Sequence, residues 1–145
     1  MNPSSKINIE KQAFSHVGDL EWFEGALLSL FVEPKSGNLH FLHWVDLAEG
    51  NNRWLFFQVS PRALQLYLQG KLSNQDVFFL DVSPTVKLLD VNEDGVVKAV
   101  EEIAKNQLPA DFVPSKDGFF QPELCPDVKS LTELLVGNYQ YAMAA

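Results

Sequence analysis

The apolar positions between residues 20 and 60 fall into three runs of strand length, separated by two polar turns. The turns are Pro34–Asn38 and Glu49–Asn52, and they carry the glycine and asparagine residues typical of tight turns. The runs predict strands over Phe23–Glu33, Leu39–Leu47 and Arg53–Val59. Because both turns are short, the strands are predicted to pair in chain order as an antiparallel meander.

Side chains on both faces of these predicted strands are apolar. In the second run, Leu39, Phe41 and Val45 alternate with Leu42 and Trp44. A sheet with one face in water shows a cleaner alternation of apolar and polar residues. We therefore expect both faces to be at least partly covered, by helices or by another subunit.

Two short helices are predicted after the meander. Ser60-Pro61 combines a hydroxyl N-cap with proline at the first helical position, and Gly70 ends the periodic run. Ser73 is the predicted N-cap of a second helix, which Ser83-Pro84 ends.

The last third of the chain is predicted to be mostly irregular. Proline punctuates residues 108–122, and a final helix is predicted from Ser130 to Gly137, burying Leu131, Leu134 and Leu135. The fold class is therefore α+β: a single domain with a three-stranded antiparallel meander, a further hairpin and short helices. Residues 1–18 are predicted to be a flexible arm, and residues 19–145 one globular domain.

An acidic loop matches a calcium-binding pattern. The sequence from Asp90 to Glu101 follows the pattern D-x-N-x-D-G-x5-E. This pattern is rich in oxygen donors, and Ca²⁺ prefers six to eight oxygen ligands. The pattern would supply the side chains of Asp90, Asn92, Asp94 and Glu101 together with the backbone carbonyl of Val96.

The same stretch also fits a β-hairpin. Asp94-Gly95 is a strong hairpin-turn signal, and apolar residues alternate on either side of it. Pro84 leaves too little chain for the entering helix of a calcium loop, and such loops normally occur in pairs, whereas this chain has one match. We favour the hairpin and keep calcium binding as the alternative.

The composition excludes several classes of protein. The chain has 145 residues, is 46% hydrophobic and carries a formal net charge of −8. This negative charge disfavours binding to a phosphate backbone.

A single cysteine, Cys125, cannot form an intrachain disulfide. The chain has no apolar run that could serve as a signal peptide or membrane helix, so we expect a soluble, cytoplasmic protein with no nucleic-acid or membrane partner.

Four aromatic residues are candidates for a binding surface: Trp44, Trp54, Phe56 and Tyr67. Aromatic side chains dominate both protein cores and interface hot spots. Burial in the core is the default interpretation, and an exposed aromatic face that binds a protein partner or a second copy is the alternative.

A small enzyme is a further possibility. It would use His43 or His16 as a base together with the carboxylate of Glu21 or Glu24. His43 lies among apolar neighbours, however, and Cys125 has no histidine nearby in sequence. We found no phosphate-binding glycine loop, serine-hydrolase elbow or zinc-protease motif in the chain.

The order of motifs resembles a group of small bacterial and phage domains of unknown function. The residues that carry this resemblance are Arg53-Trp54-Leu55-x-Phe57-x-Val59-Ser60, a helix ending near Gly70, the Asp94-Gly95 turn and Leu108-Pro109-x-x-Phe112-Val113-Pro114. It spans roughly residues 20–120 and favours the hairpin, but it carries over no activity and no site residue. The leading hypothesis is a non-enzymatic interaction module from a bacterium or mobile element.

Overall fold

The computed structural model describes residues 14–129 together with Leu131 and Glu133. Within these residues, six strands form one antiparallel sheet in which the spatial order follows the chain order. The strands are β1 (Ser15–Trp22), β2 (Ala26–Val32), β3 (Leu39–Ala48), β4 (Asn51–Val59), β5 (Thr85–Val91) and β6 (Val97–Ala104). The predicted α+β class and the predicted meander are confirmed, and the meander forms part of a larger sheet.

Two helices connect β4 to β5: α1 (Pro61–Leu68) and α2 (Asn74–Leu80). The Ser60 hydroxyl accepts a hydrogen bond from the Ala63 N–H, so the predicted N-cap is confirmed. Ser73 caps α2 and forms a reciprocal capping box with Asp76. No helix in the described part of the chain is long and apolar enough to span a membrane.

The C-terminal third is irregular, as predicted, and packs back onto the sheet. After β6 the described chain contains short 3₁₀ helices at Lys105–Gln107, Ala110–Phe112 and Pro122–Leu124. The helix predicted from Ser130 lies largely outside the described residues. Of its predicted core positions Leu131 is described, and it is buried.

A turn occupies the start of the first predicted strand, and the strand that precedes it, β1, was not predicted. Phe23–Gly25 forms a tight turn between β1 and β2, in which Glu24 and Gly25 both have positive φ. The predicted strand over Phe23–Glu33 therefore begins too early. The predicted arm over residues 1–18 also ends too late, because Ser15 already belongs to β1. Residues 1–13 lie outside the described part.

Apolar residues are buried on both faces of the sheet, as the pattern predicted. One core lies between the sheet, α1, α2 and the C-terminal segment, and it contains Phe41, Phe57, Tyr67 and Phe78. A second core lies on the opposite face. Its buried members are Ala26, Phe31, Leu42, Trp54, Phe56, Leu89 and Val91.

The two neighbouring phenylalanines of α2 provide a matched test of this packing. Phe78 is 0% exposed and its ring lies 5.1 Å from that of Phe57, whereas Phe79 is 53% exposed. Phe78→Ala should lower the free energy of unfolding by about 3–5 kcal/mol because it leaves a cavity. Phe79→Ala should lower it by less than about 1 kcal/mol. Urea denaturation of both variants measures this, and equal losses would contradict the assigned orientation of α2.

Candidate functional site

The four predicted binding aromatics do not form one surface. Trp54, Phe56 and Tyr67 are each less than 4% exposed. Trp54 and Phe56 belong to the second core, whereas Tyr67 lies in the first core on the other side of the sheet. Trp44 is partly buried against the second core, and its indole N–H donates to Asn52 Oδ1 at 2.9 Å. The prediction of an exposed face made by these four residues is therefore wrong, because the sheet is buried on both sides.

The acidic loop is a β-hairpin. β5 and β6 pair antiparallel, and the turn between them spans residues 92–96. Asn92 Oδ1 accepts hydrogen bonds from the backbone N–H groups of Asp94 and Val96, at 2.9 and 3.0 Å. The Val96 carbonyl accepts from the Asn92 N–H at 3.0 Å. The side-chain oxygen of Asn92 and the carbonyl of Val96 therefore both stabilise the turn itself.

The remaining predicted calcium ligands lie on separate strands. Asp90 on β5 pairs with Ala99, and Glu101 on β6 pairs with Leu88. One carboxylate oxygen of Asp90 is buried without a hydrogen-bond partner among the described residues. Even so, no group of three or more His, Cys, Asp or Glu residues in the described part has a geometry suited to a metal ion. The calcium interpretation therefore has no geometric support.

The proposed histidine–carboxylate pairs are not brought together in one cleft. His43 lies on the first-core face of β3, opposite Leu55 and Leu28 in the strand register. His16 lies on the other face, where its ring is 5.3 Å from Phe31. Burial lowers the pKa of His43 to about 4, so its imidazole is neutral near pH 7.

The carboxylates named with these histidines have other environments. Burial raises the pKa of Glu21, whose charge in turn contributes to the raised pKa of the buried Tyr67. Glu24 is exposed at the tip of the β1–β2 turn. His16 instead contacts Asp19, with its Nε2 at 3.0 Å from Asp19 Oδ1. The structure therefore replaces the predicted pairs with a His16–Asp19 contact that sequence reasoning missed.

Asp19 is the centre of a buried polar network that ties the C-terminal segment to β1. Its Oδ1 also accepts a hydrogen bond from the Ser29 hydroxyl at 2.6 Å. Its backbone N–H donates to Asp127 Oδ2 at 2.8 Å, and its carbonyl accepts from the Cys125 thiol at 3.3 Å. The carboxylate lies between serine and histidine, whereas a nucleophilic triad places histidine in the middle. The arrangement therefore differs from a nucleophilic triad and holds chain segments together.

Cys125 belongs to the same network. Its thiol is buried, and burial is the main cause that raises its pKa. A protonated buried thiol is a poor nucleophile, so this environment disfavours a reactive Cys125.

Exposed apolar side chains are concentrated at the end of α2. Phe79, Leu80 and Val82 are 53%, 56% and 98% exposed. Val77 and Phe78 on the same helix are buried against the sheet. At roughly 100° per residue, a helix that buries two adjacent residues turns the next two toward solvent.

Two adjoining clefts lie along this exposed side of α2. The first, about 360 Å³, lies beside Leu72 and Phe79 and reaches Leu80. The second, about 150 Å³, extends from Leu80 to Val82 and Gln58. Because Leu80 lines both clefts, we treat them as one surface, which we call the α2 groove.

Lys105 fixes the position of α2 beside this groove. Its Nζ donates to the carbonyl oxygens of Phe78 and Asp81 at 2.8 and 3.1 Å, and lies 3.4 Å from Asp81 Oδ2. The same ammonium group lies 4.8 Å from the centre of the Phe78 ring. A cation at the C-terminus of a helix satisfies carbonyl groups that have no partner within the helix. The exposed residues of α2 are therefore presented on a rigid support.

Sequence reasoning missed the α2 groove, although one signal was present. Residues 77–80 read Val-Phe-Phe-Leu, and four consecutive residues of a helix cover roughly 300° of its circumference. A helix that packs on a sheet by one face cannot bury all four. The pattern therefore required exposed apolar residues, but it did not indicate which ones.

The buried imidazole of His43 makes stability depend on pH. Its folded-state pKa of about 4 lies below the ordinary value of 6.5, so between these values the unfolded chain binds a proton that the folded chain does not. Stability is lost as the pH falls through this range. Between about pH 7 and about pH 4.5, the free energy of unfolding of the unmodified chain should fall by on the order of 2 kcal/mol more than that of His43→Gln. Urea unfolding at both values tests this, and a pH-independent difference between the two proteins would contradict it.

Comparison with protein-family models, with curated proteins and with solved structures found no match to the chain. The resemblance to small bacterial and phage domains stays a prediction, as does the cytoplasmic location.

Proposed function

We propose that this chain is a protein-interaction module that binds an apolar segment of a partner protein in the α2 groove. The observation that carries this proposal is the exposure of Phe79, Leu80 and Val82 along the two adjoining clefts of the α2 groove. Scattered single exposed apolar residues are normal on protein surfaces. A contiguous exposed set beside a concave surface is typical of an interaction site.

The rigidity of α2 supports the same proposal. Lys105 and the Ser73 capping box hold the two ends of the helix. Anchoring residues that are already ordered lose little conformational entropy when a partner binds. Phe79 is also of the aromatic type that is enriched in interface cores.

The charge of the chain indicates the chemistry of the partner segment. The net charge is −8, and the exposed carboxylate of Asp76 lines the groove. We infer a segment with apolar side chains that occupy the clefts beside Leu80, flanked by Lys or Arg residues. Complementary charge of this kind mainly increases the association rate and improves specificity.

Selection from a displayed random-peptide library against the purified chain tests the proposal. The selected peptides should share at least two apolar positions with basic flanks. Leu80→Glu should weaken their binding by roughly tenfold or more, because it places an unpaired charge under the apolar contact. Leu47→Glu is the matched control, since Leu47 is 62% exposed and does not line the groove.

Two results would overturn the proposal. One is a set of selected peptides that bind the Leu80→Glu variant as tightly as the unmodified chain. The other is a peptide whose binding changes the amide NMR signals of residues away from α2 and leaves those of Phe79–Val82 unchanged. Thermal unfolding of each variant checks that the fold is retained.

A further inference from the structure

β6 forms one edge of the sheet and leaves its outer side open to another strand. Among the described strands it pairs with β5 alone. Residues 98–102 are all exposed, and the side chain of Val100 is 55% exposed. An open strand of this length offers backbone N–H and C=O groups to an added strand.

Natural edge strands commonly carry charges that prevent such pairing. β6 carries Lys98, Glu101 and Glu102, which alone would favour that protective interpretation. The order of these charges is what distinguishes β6, because a second copy of the same strand can neutralise two of them.

A two-fold axis restricts the registers in which β6 could pair with itself. Residues directly opposite in an antiparallel pair must both direct their backbone groups toward the partner or both direct them away. This direction alternates along Ala99–Ala104, the part of β6 that pairs with β5 without interruption. Within it, the two-fold axis must therefore relate two copies of the same residue that lie directly opposite each other. The central candidates are Ala99, Val100 and Glu101.

One of these registers is complementary in both charge and apolarity. With the axis at Val100, the two Val100 side chains face each other and each Lys98 lies opposite the partner's Glu102. An axis at Glu101 would place two like charges directly opposite, and an axis at Ala99 would place the charged Lys98 opposite the apolar Val100, so both are less favourable.

The packing within one copy also suits the Val100 register. Val100 pairs with Leu89, which is 1% exposed in the second core. A second Val100 would therefore extend an existing apolar row across the interface. The pairing of β5 with β6 shifts register between the pairs Asp90–Ala99 and Val91–Val97, and Lys98 lies at this shift. Its long side chain can still reach a carboxylate on the neighbouring strand.

We propose that two copies of this chain associate through β6 about a two-fold axis at Val100, joining their sheets into one. The pair is held by backbone hydrogen bonds, by the Val100 contact and by two Lys98–Glu102 ion pairs. This self-association is independent of the α2 groove as a peptide site.

Charge reversal tests the register directly. Sedimentation velocity of the full chain should show a concentration-dependent dimer. In a dimer of Lys98→Glu, the introduced carboxylate of each copy faces the Glu102 carboxylate of the other. In a dimer of Glu102→Lys, the introduced ammonium group of each copy faces the Lys98 ammonium group of the other. Either change should raise the dimer dissociation constant by roughly tenfold or more. The double variant K98E/E102K should restore dimerisation.

Mixing the two single variants provides the most specific outcome. A mixed dimer contains one K98E copy and one E102K copy. The introduced carboxylate of the K98E copy faces the introduced ammonium group of the E102K copy. The unchanged Glu102 of the K98E copy faces the unchanged Lys98 of the E102K copy. A heterodimer should therefore form from two weakly associating proteins.

A strict monomer at millimolar concentration overturns the proposal, as does a dimer that neither single reversal weakens or a mixture that gives no heterodimer. Leu80→Glu should leave dimerisation unchanged, and melting temperatures confirm that each variant is folded.

Discussion

The buried ammonium group of Lys105 is the constraint on which the exposed surface of α2 depends. A charge removed from water is tolerated only where polar groups surround it, and here two carbonyls and a carboxylate of the α2 terminus do so. Because the group also lies over the Phe78 ring, the end of β6, the last turn of α2 and the first core are linked at one point. The rotation of α2, and therefore the outward direction of Phe79 and Leu80, follows from this link.

Burial on both faces of the sheet determines where an interaction surface can lie. Two aromatic clusters occupy opposite faces, one around Phe41 and Phe57 and the other around Phe31 and Phe56. The central strands therefore offer no broad apolar surface to a partner. Apolar exposure occurs instead at the periphery, at the end of α2, along β6 and at the β1–β2 turn, where an added chain can bind without disturbing either core.

The sequence predicted local features well because their signals are local. The helix caps at Ser60 and Ser73 and the Asp94-Gly95 hairpin each depend on a few neighbouring residues. The β1–β2 turn was missed because Phe23 continues an apolar run and hides the bend at Gly25. The contact of Lys105 with Phe78 joins residues 27 apart in sequence, so no local pattern could reveal it. The predicted aromatic face failed because apolar alternation does not show which face of a sheet is covered.

The buried polar groups of this fold act on the chain itself. Asp19 contacts Ser29 and His16 through its carboxylate, and Asp127 through its backbone. A catalytic carboxylate or imidazole must reach a bound substrate, whereas each of these groups joins two segments of the chain. Their rigidity benefits binding, because a surface that does not reorganise loses less entropy on association. The network around Asp19 therefore contributes to the rigidity of the scaffold on which the exposed apolar residues lie.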